Sequence, residues 1–223
     1  MKLTYNGHKS VSLDPGKITV VATNTPVVFN EIMGGLNDFN ESVKLVDNSY
    51  NSLEIAKMID LDSELLINRK LYEKYVKDII KAEIDNMPLE YREKVNKGAQ
   101  QLFTILQESL FMTDLPVEVS YDGDLKRLLS YSRIKLMIER ELRPYDIIIS
   151  DLKIHLECNL KGIPCFCNVA NYLSKAEFHD LQAEVASLNI PLLLIEFSEI
   201  CKRSFYQKSN FLFIDQDFID WKL

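Results

Sequence analysis

The residues whose types and spacing could do chemistry gather between positions 108 and 143. Glu108, Asp114, Glu118, Asp122 and Asp124 come first, with no basic residue among them. Lys126, Arg127, Arg133, Lys135, Arg140 and Arg143 follow, opposed only by Glu139 and Glu141. A basic stretch of this kind attracts phosphate even on a chain whose net charge is −7, because local potential steers encounter. That net charge argues against a uniformly basic nucleic-acid binder. The same pattern also describes solvated helix faces, so charge alone leaves both uses open.

Nucleotide chemistry needs a different constellation. A phosphate-binding loop follows a strand and reads G-x-x-x-x-G-K-[ST], because its glycines let backbone N–H groups approach the phosphates and its lysine adds charge. After the apolar run ending at Ala22, this chain has Thr23-Asn24-Thr25-Pro26, without glycine or lysine, and Pro26 removes one donor. Ile147 to Asp151 and Leu192 to Glu196 read as strands ending in a carboxylate, as a magnesium-holding acid would. Many buried strands end this way, so without the loop the signal is weak. His8, His155 and His179 have no motif company, and His179 beside Asp180 reads as a surface residue. Gly-x-Ser-x-Gly and His-Glu-x-x-His do not occur, so nothing points to a hydrolase. Cys158, Cys165, Cys167 and Cys201 form no C-x-x-C pair, and Cys165 and Cys167 alternate along a strand as buried, reduced thiols would.

The elements that must position these residues centre on 162–197. Ile163 to Val169 and Leu192 to Ile195 are short apolar runs suited to strands covered on both faces. Between them Phe178, Leu181, Val185 and Leu188 recur at helical spacing, and Ser174 with Glu177 makes a capping box. A βαβ unit and a mostly parallel sheet follow. Upstream, the weak alternation of Leu3, Tyr5, Val11 and Leu13 predicts short antiparallel strands, and Asp14-Pro15-Gly16 a turn. Lys17 to Ala22 predicts a central strand, Pro26 a helix start, Gly34-Gly35 its end, and Val43 to Asp47 another strand. The middle changes character. Leu71, Tyr75, Ile79 and Ala82 share one helical stripe, and after Met87-Pro88 a second helix turns Tyr91, Val95, Leu102, Ile105 and Leu106 inward. These two helices predict a hairpin leg, 67–111, on an α/β head of 1–66 and 112–223. A hairpin of this kind serves oligomerisation or folds back on the sheet. At 223 residues the chain accommodates one good core and such an appendage, or two small domains. With no run of about 20 apolar residues and no apolar leader, a cytoplasmic address is expected.

In order and length of elements, nearly the whole chain resembles the type II-A CRISPR-associated adaptation proteins of the Csn family. The stretch Asn168-Val169-Ala170-Asn171-Tyr172-Leu173-Ser174-Lys175-Ala176-Glu177 carries the resemblance most strongly. The run ending at Glu196, Ile18 to Met33, Val43 to Asp47 and Ser52-Leu53-Glu54 support it. The resemblance implies a degenerate P-loop-like head with a helical leg, assembled as a homotetrameric ring. It implies non-catalytic binding of double-stranded DNA ends through a lysine-lined hole, with calcium stabilising the ring. It further implies a role in spacer acquisition beside the adaptation integrase and the RNA-guided effector nuclease. Lys135 matches a basic family position, with Arg133 and Lys126 as neighbours, while Arg127, Arg140 and Arg143 enter on local charge. Glu118 matches an acidic position, and Asp114, Asp122 and Asp124 lie close by. Leu115-Pro116-Val117-Glu118 puts a proline where the family carries an acid, so fewer carboxylates are on offer for the roughly 6–8 oxygen ligands calcium takes. Contacts to DNA are expected to be to phosphates and independent of sequence. Two alternatives stand beside this reading: a diverged P-loop nucleotide kinase or ATPase-like enzyme, and a scaffold of the adaptation complex with incidental DNA binding.

Overall fold

A computed structural model describes residues 1–62, 71–112, 114–132, 134, 143–198 and 200–222. The chain divides into two compact units, Met1–Leu71 with Ile138–Leu223, and Tyr72–Met137. The first is mixed α/β with a mostly parallel sheet, as the sequence predicts. No helix among the described residues is long and apolar enough to cross a membrane.

The head holds two sheets. Strands β1 (Lys2–Tyr5), β2 (Val11–Ser12), β4 (Val43–Val46) and β5 (Ser52–Leu53) form an antiparallel sheet in the order β2-β1-β4-β5. The larger sheet contains β3 (Ile18–Thr23), β6 (Ile59–Asp62), β7 (Ile163–Cys167), β8 (Leu192–Phe197), β9 (Asn210–Ile214) and β10 (Asp220–Lys222). Its order is β10-β9-β3-β8-β7-β6, parallel throughout except for the β10 edge. β3 lies inside this sheet, with Val20 opposite Leu194 on one side and Phe211 on the other.

Side chains alternate across the sheet, so each face collects one parity of each strand. Val21, Cys165, Leu193, Ile195 and Leu212 face helix α1 (Pro26–Leu36) and the smaller sheet, where Val28, Ile32, Leu3 and Leu45 complete one core. The opposite parity faces helices α6 (Pro144–Glu157) and α7 (Lys175–Leu188): His155 of α6 reaches Asp60 of β6, and Phe178 of α7 packs on Tyr206, which stacks on Phe211. Ser174 and Glu177 cap α7 reciprocally, as predicted. The Asp14–Lys17 turn closes through Lys17 N–H to Asp14 O, with Gly16 at φ +71°, where a side chain would be strained.

Two head elements differ from expectation. Ile147 to Asp151 is not a strand but the middle of α6. Pro144 occupies its first turn, and Asp146 accepts from the Arg143 backbone N–H and guanidinium, which starts a helix despite three consecutive isoleucines. Helix α1 also continues through Gly34 and Gly35 to Leu36. A Cβ at Gly35 would lie 2.7 Å from Val43, so this glycine permits close helix–strand packing instead of ending the helix.

The second unit contains α3 (Leu71–Asn86), α4 (Leu89–Leu110) and α5 (Leu125–Tyr131), with the short α2 (Ile55–Met58) belonging to the head. Its boundaries differ from the predicted leg of 67–111, because 117–131 belongs with the helices. Tyr121 stacks on Phe103 at 5.5 Å and donates to Asn96, and Val119 N–H donates to the Gln107 side chain. Buried Tyr75, Ile80, Ala99 and Leu125 form its core. The inward face of α4 is therefore the one bearing Ala99 and Phe103. Tyr91, Leu102, Ile105 and Leu106, expected inward, are exposed. The start of the predicted leg, 67–70, lies outside the described residues.

Candidate functional site

In an open parallel sheet, ligands bind beyond the carboxyl ends of the strands where successive connections depart to opposite faces. Here that place is the end of β3 and β8: α1 leaves β3 toward one face, while the β7–α7–β8 crossover occupies the other. Nucleotide-binding proteins keep backbone N–H groups open at this edge to receive phosphate. In this chain several are already taken. Thr25 N–H donates to Thr23 Oγ1 at 3.1 Å, and Ser198 N–H to Thr23 O at 2.9 Å. Phe197 N–H donates to Asn168 Oδ1 at 2.8 Å, and Val169 N–H to Glu196 Oε1 at 2.8 Å. Asn168 sits at φ +55°, a conformation asparagine tolerates better than most residues, and this turns its side chain back onto β8.

Glu196, which reads in the sequence as a strand-end acid, is 1 % exposed and accepts a backbone amide. Its charge also reaches its neighbours. Burial, and then the Glu196 and Asp62 carboxylates, push the Cys167 thiol up to about 12. Burial and Glu196 likewise raise the Tyr206 phenol far above its usual range. Burial thus favours the neutral form of both groups. Asp151, the other predicted acid, faces His155 on the same helix instead of a strand end. His155 Nδ1 lies 3.0 Å from Asp151 O and 3.4 Å from its Oδ2, and Nε2 lies 3.1 Å from Asp60 Oδ2. Burial opposes charge on this imidazole, but the Asp60 hydrogen bond and the Asp151 carboxylate outweigh it and hold its pKa above the ordinary 6.5.

Of the predicted phosphate-binding residues, Arg133, Lys135 and Arg140 lie outside the described residues. Lys126 and Arg127 begin α5, where both backbone N–H groups donate to the capping Asp124 carboxylate. The Arg127 guanidinium is paired with Asp122 at 2.7 Å and Asp124 at 3.3 Å. Arg143 belongs to the head, paired with Asp146 at 3.1 Å and Glu177 at 3.4 Å. Arg127 and Arg143 each hold carboxylates already, in different units. Lys126 has other company, which the sequence did not reveal. It lines a cavity of about 410 Å³ together with Lys81, Arg92, Asp85, Asn96 and Asp124. Arg92 Nη2 donates to Ile84 O at 2.5 Å, while its Nε is buried without a hydrogen-bond partner among the described residues. Lys81 lies on α3 and Arg92 on α4, so no local sequence signal joins them to Lys126.

The predicted calcium ligands Asp114, Glu118, Asp122 and Asp124 do not converge. Among the described residues, no group of three or more His, Cys, Asp or Glu could hold a metal ion. Asp122 and Asp124 serve the cap and Arg127, and Asp114 and Glu118 are exposed. Within one chain this donor set does not fit calcium.

No family model matches the chain, and no curated protein does. Among solved structures, Stu0660 of Streptococcus thermophilus aligns over 100 % of this chain and 76 % of its own, at 13 % identity and a TM-score of 0.56. The ATP-binding cassette MJ1267 of an ABC transporter, in its ADP conformation, aligns over 95 % and 84 %, at 12 % identity and a TM-score of 0.47. A nucleotide-free ATP-binding cassette from an ABC transporter aligns over 99 % and 88 %, at 11 % identity and a TM-score of 0.45. At these identities the likeness to the streptococcal protein is one of fold.

Proposed function

We propose that this chain is a non-catalytic binding protein built on a diverged nucleotide-binding α/β fold, and that its ligand is the end of double-stranded DNA. The observation that carries the non-catalytic half is the edge at β3 and β8, where Thr23 takes the Thr25 amide of the loop that leads into α1, and Asn168 and Glu196 take neighbouring amides. The DNA half rests on the resemblance to the type II-A CRISPR adaptation family, supported by Lys81, Arg92 and Lys126 around one cavity. The exposed Tyr91, Leu102, Ile105 and Leu106 stripe on α4 supports assembly of copies, a homotetramer in this reading. Calcium has a place here only with ligands drawn from more than one copy.

The deciding experiment is binding of the purified protein to linear and covalently closed duplexes of one sequence, across a salt series, with calcium or chelator. Binding to linear DNA alone, weakening steeply with salt, is the expected result. Equal binding to both forms would overturn end recognition. The parallel sheet with its central strand–turn–helix favours a second reading, a diverged P-loop kinase or ATPase-like enzyme. A rise in melting temperature with magnesium and ATP, together with phosphate release, would establish that reading in place of the first.

A further inference from the structure

A cationic cup of the head lies outside the predicted basic stretch. Arg203, Ser204, Tyr206, Gln207, Lys208, Ser209 and Phe211 line a cavity of about 590 Å³ at the start of β9, with no carboxylate among the described residues of its wall. From position 200 to Ile214 the sequence has Lys202, Arg203 and Lys208 and no acid at all, on a chain of net charge −7. Among the described residues neither Arg203 nor Lys208 makes an ion pair, whereas Arg127 and Arg143 each hold two carboxylates.

The cup is also fixed in shape. Tyr206 and Phe211 are buried and stacked at 5.5 Å, and Tyr206 packs edge-on against Phe178. Gln182 of α7 donates to Gln207 O and, at 3.0 Å, to Ser209 Oγ, which ties the loop to the helix. Lys208 is held at φ +68°, and Tyr206 N–H closes the turn onto Arg203 O at 2.9 Å. Two unopposed cations and two hydroxyls on a braced loop present the donor set that phosphate oxygens accept.

We infer that this cup is an anion site for a phosphate group, separate from the basic residues of the helical unit. The group comes either from a nucleic-acid backbone or from a small phosphate compound, and competition tells the two apart. The inference does not depend on DNA-end binding.

The test follows inorganic phosphate by 31P line broadening with the full chain. The variants are Arg203→Ala/Lys208→Ala and, as a control of equal charge loss at exposed positions of β4 and α6 outside either cavity, Lys44→Ala/Lys153→Ala. Wild type and control should broaden the line alike, and the Arg203/Lys208 variant should bind at least about tenfold more weakly at unchanged melting temperature. Displacement of phosphate by a 20-base-pair duplex assigns the site to nucleic acid. Retention of phosphate against duplex assigns it to a small phosphate compound. Equal broadening by all three proteins, or none by wild type, overturns the inference. Loss of end-selective DNA binding elsewhere in the molecule would leave this result untouched, so the two readings fail separately.

Discussion

In the head, Leu194, Phe166 and Glu196 are almost wholly withdrawn from water, whereas in the helical unit Ile105 is 62 % exposed and Tyr91 59 %. The head encloses its apolar residues between helices and sheets and turns polar groups such as Glu196 and Asn168 onto its own backbone. The helical unit buries only Tyr75, Ile80, Ala99 and Leu125 among its described side chains and leaves an apolar stripe and a cationic cavity outside. A sheet covered on both faces has little left to offer a partner at its centre. A helix hairpin has more surface than it can cover, so the unburied face is available for contacts. The difference is one of burial: the head encloses its apolar side chains, and the helical unit leaves a stripe of them exposed.

The largest expected effect concerns that division. Leu194→Ala should cost about 2–5 kcal/mol in urea unfolding, because it empties a site with no exposed surface. Ile105→Ala should fall within about 0.5 kcal/mol when measured on the monomer. Equal losses would break the comparison. Next, Glu196→Ala should cost about 1–3 kcal/mol by stranding the Val169 N–H, with no change in DNA affinity. A loss of affinity without a loss of stability would instead make Glu196 a ligand-facing acid. Smaller again, Asp124→Ala should cost about 0.5–2 kcal/mol, since it removes the cap of α5. Circular dichroism and chemical denaturation read both numbers.

The pH dependence of the head sharpens the same contrast. His155 has a folded pKa above its unfolded 6.5, so the stability it contributes is complete below that value. It is lost as pH rises from there through the raised folded pKa. Denaturation midpoints should fall across that window in wild type and flatten in His155→Gln. An unchanged slope would mean that Asp60 and Asp151 do not hold a proton on the imidazole.

Much of the head was legible because its signals are local. The Ser174–Glu177 box, the stripe of Phe178, Leu181 and Val185, and the unbroken Leu192 to Ile195 run each state one element within a few residues. Ile147 to Ile149 misled because a short β-branched run is also compatible with a buried helix, and only Pro144 and Asp146 tip the balance. The inward face of α4 was not legible. It carries two apolar stripes, and the choice between them is made by Tyr121 and Val119, which lie beyond the helix. The candidate site was less legible still. Arg127 and Arg143 looked available until the fold brought Asp122 and Glu177 beside them. Arg92, Lys81 and Lys126 meet only through tertiary packing, and Arg203 and Lys208 sit on a loop without periodicity.

The most direct test of the account titrates a linear duplex and magnesium–ATP in parallel against wild type and Lys81→Glu/Lys126→Glu. The account predicts duplex binding by wild type, weakened in the variant with a salt slope reduced by about 2, and no protection by ATP in either. Protection by ATP, with duplex binding absent or indifferent to the two charge reversals, would contradict it.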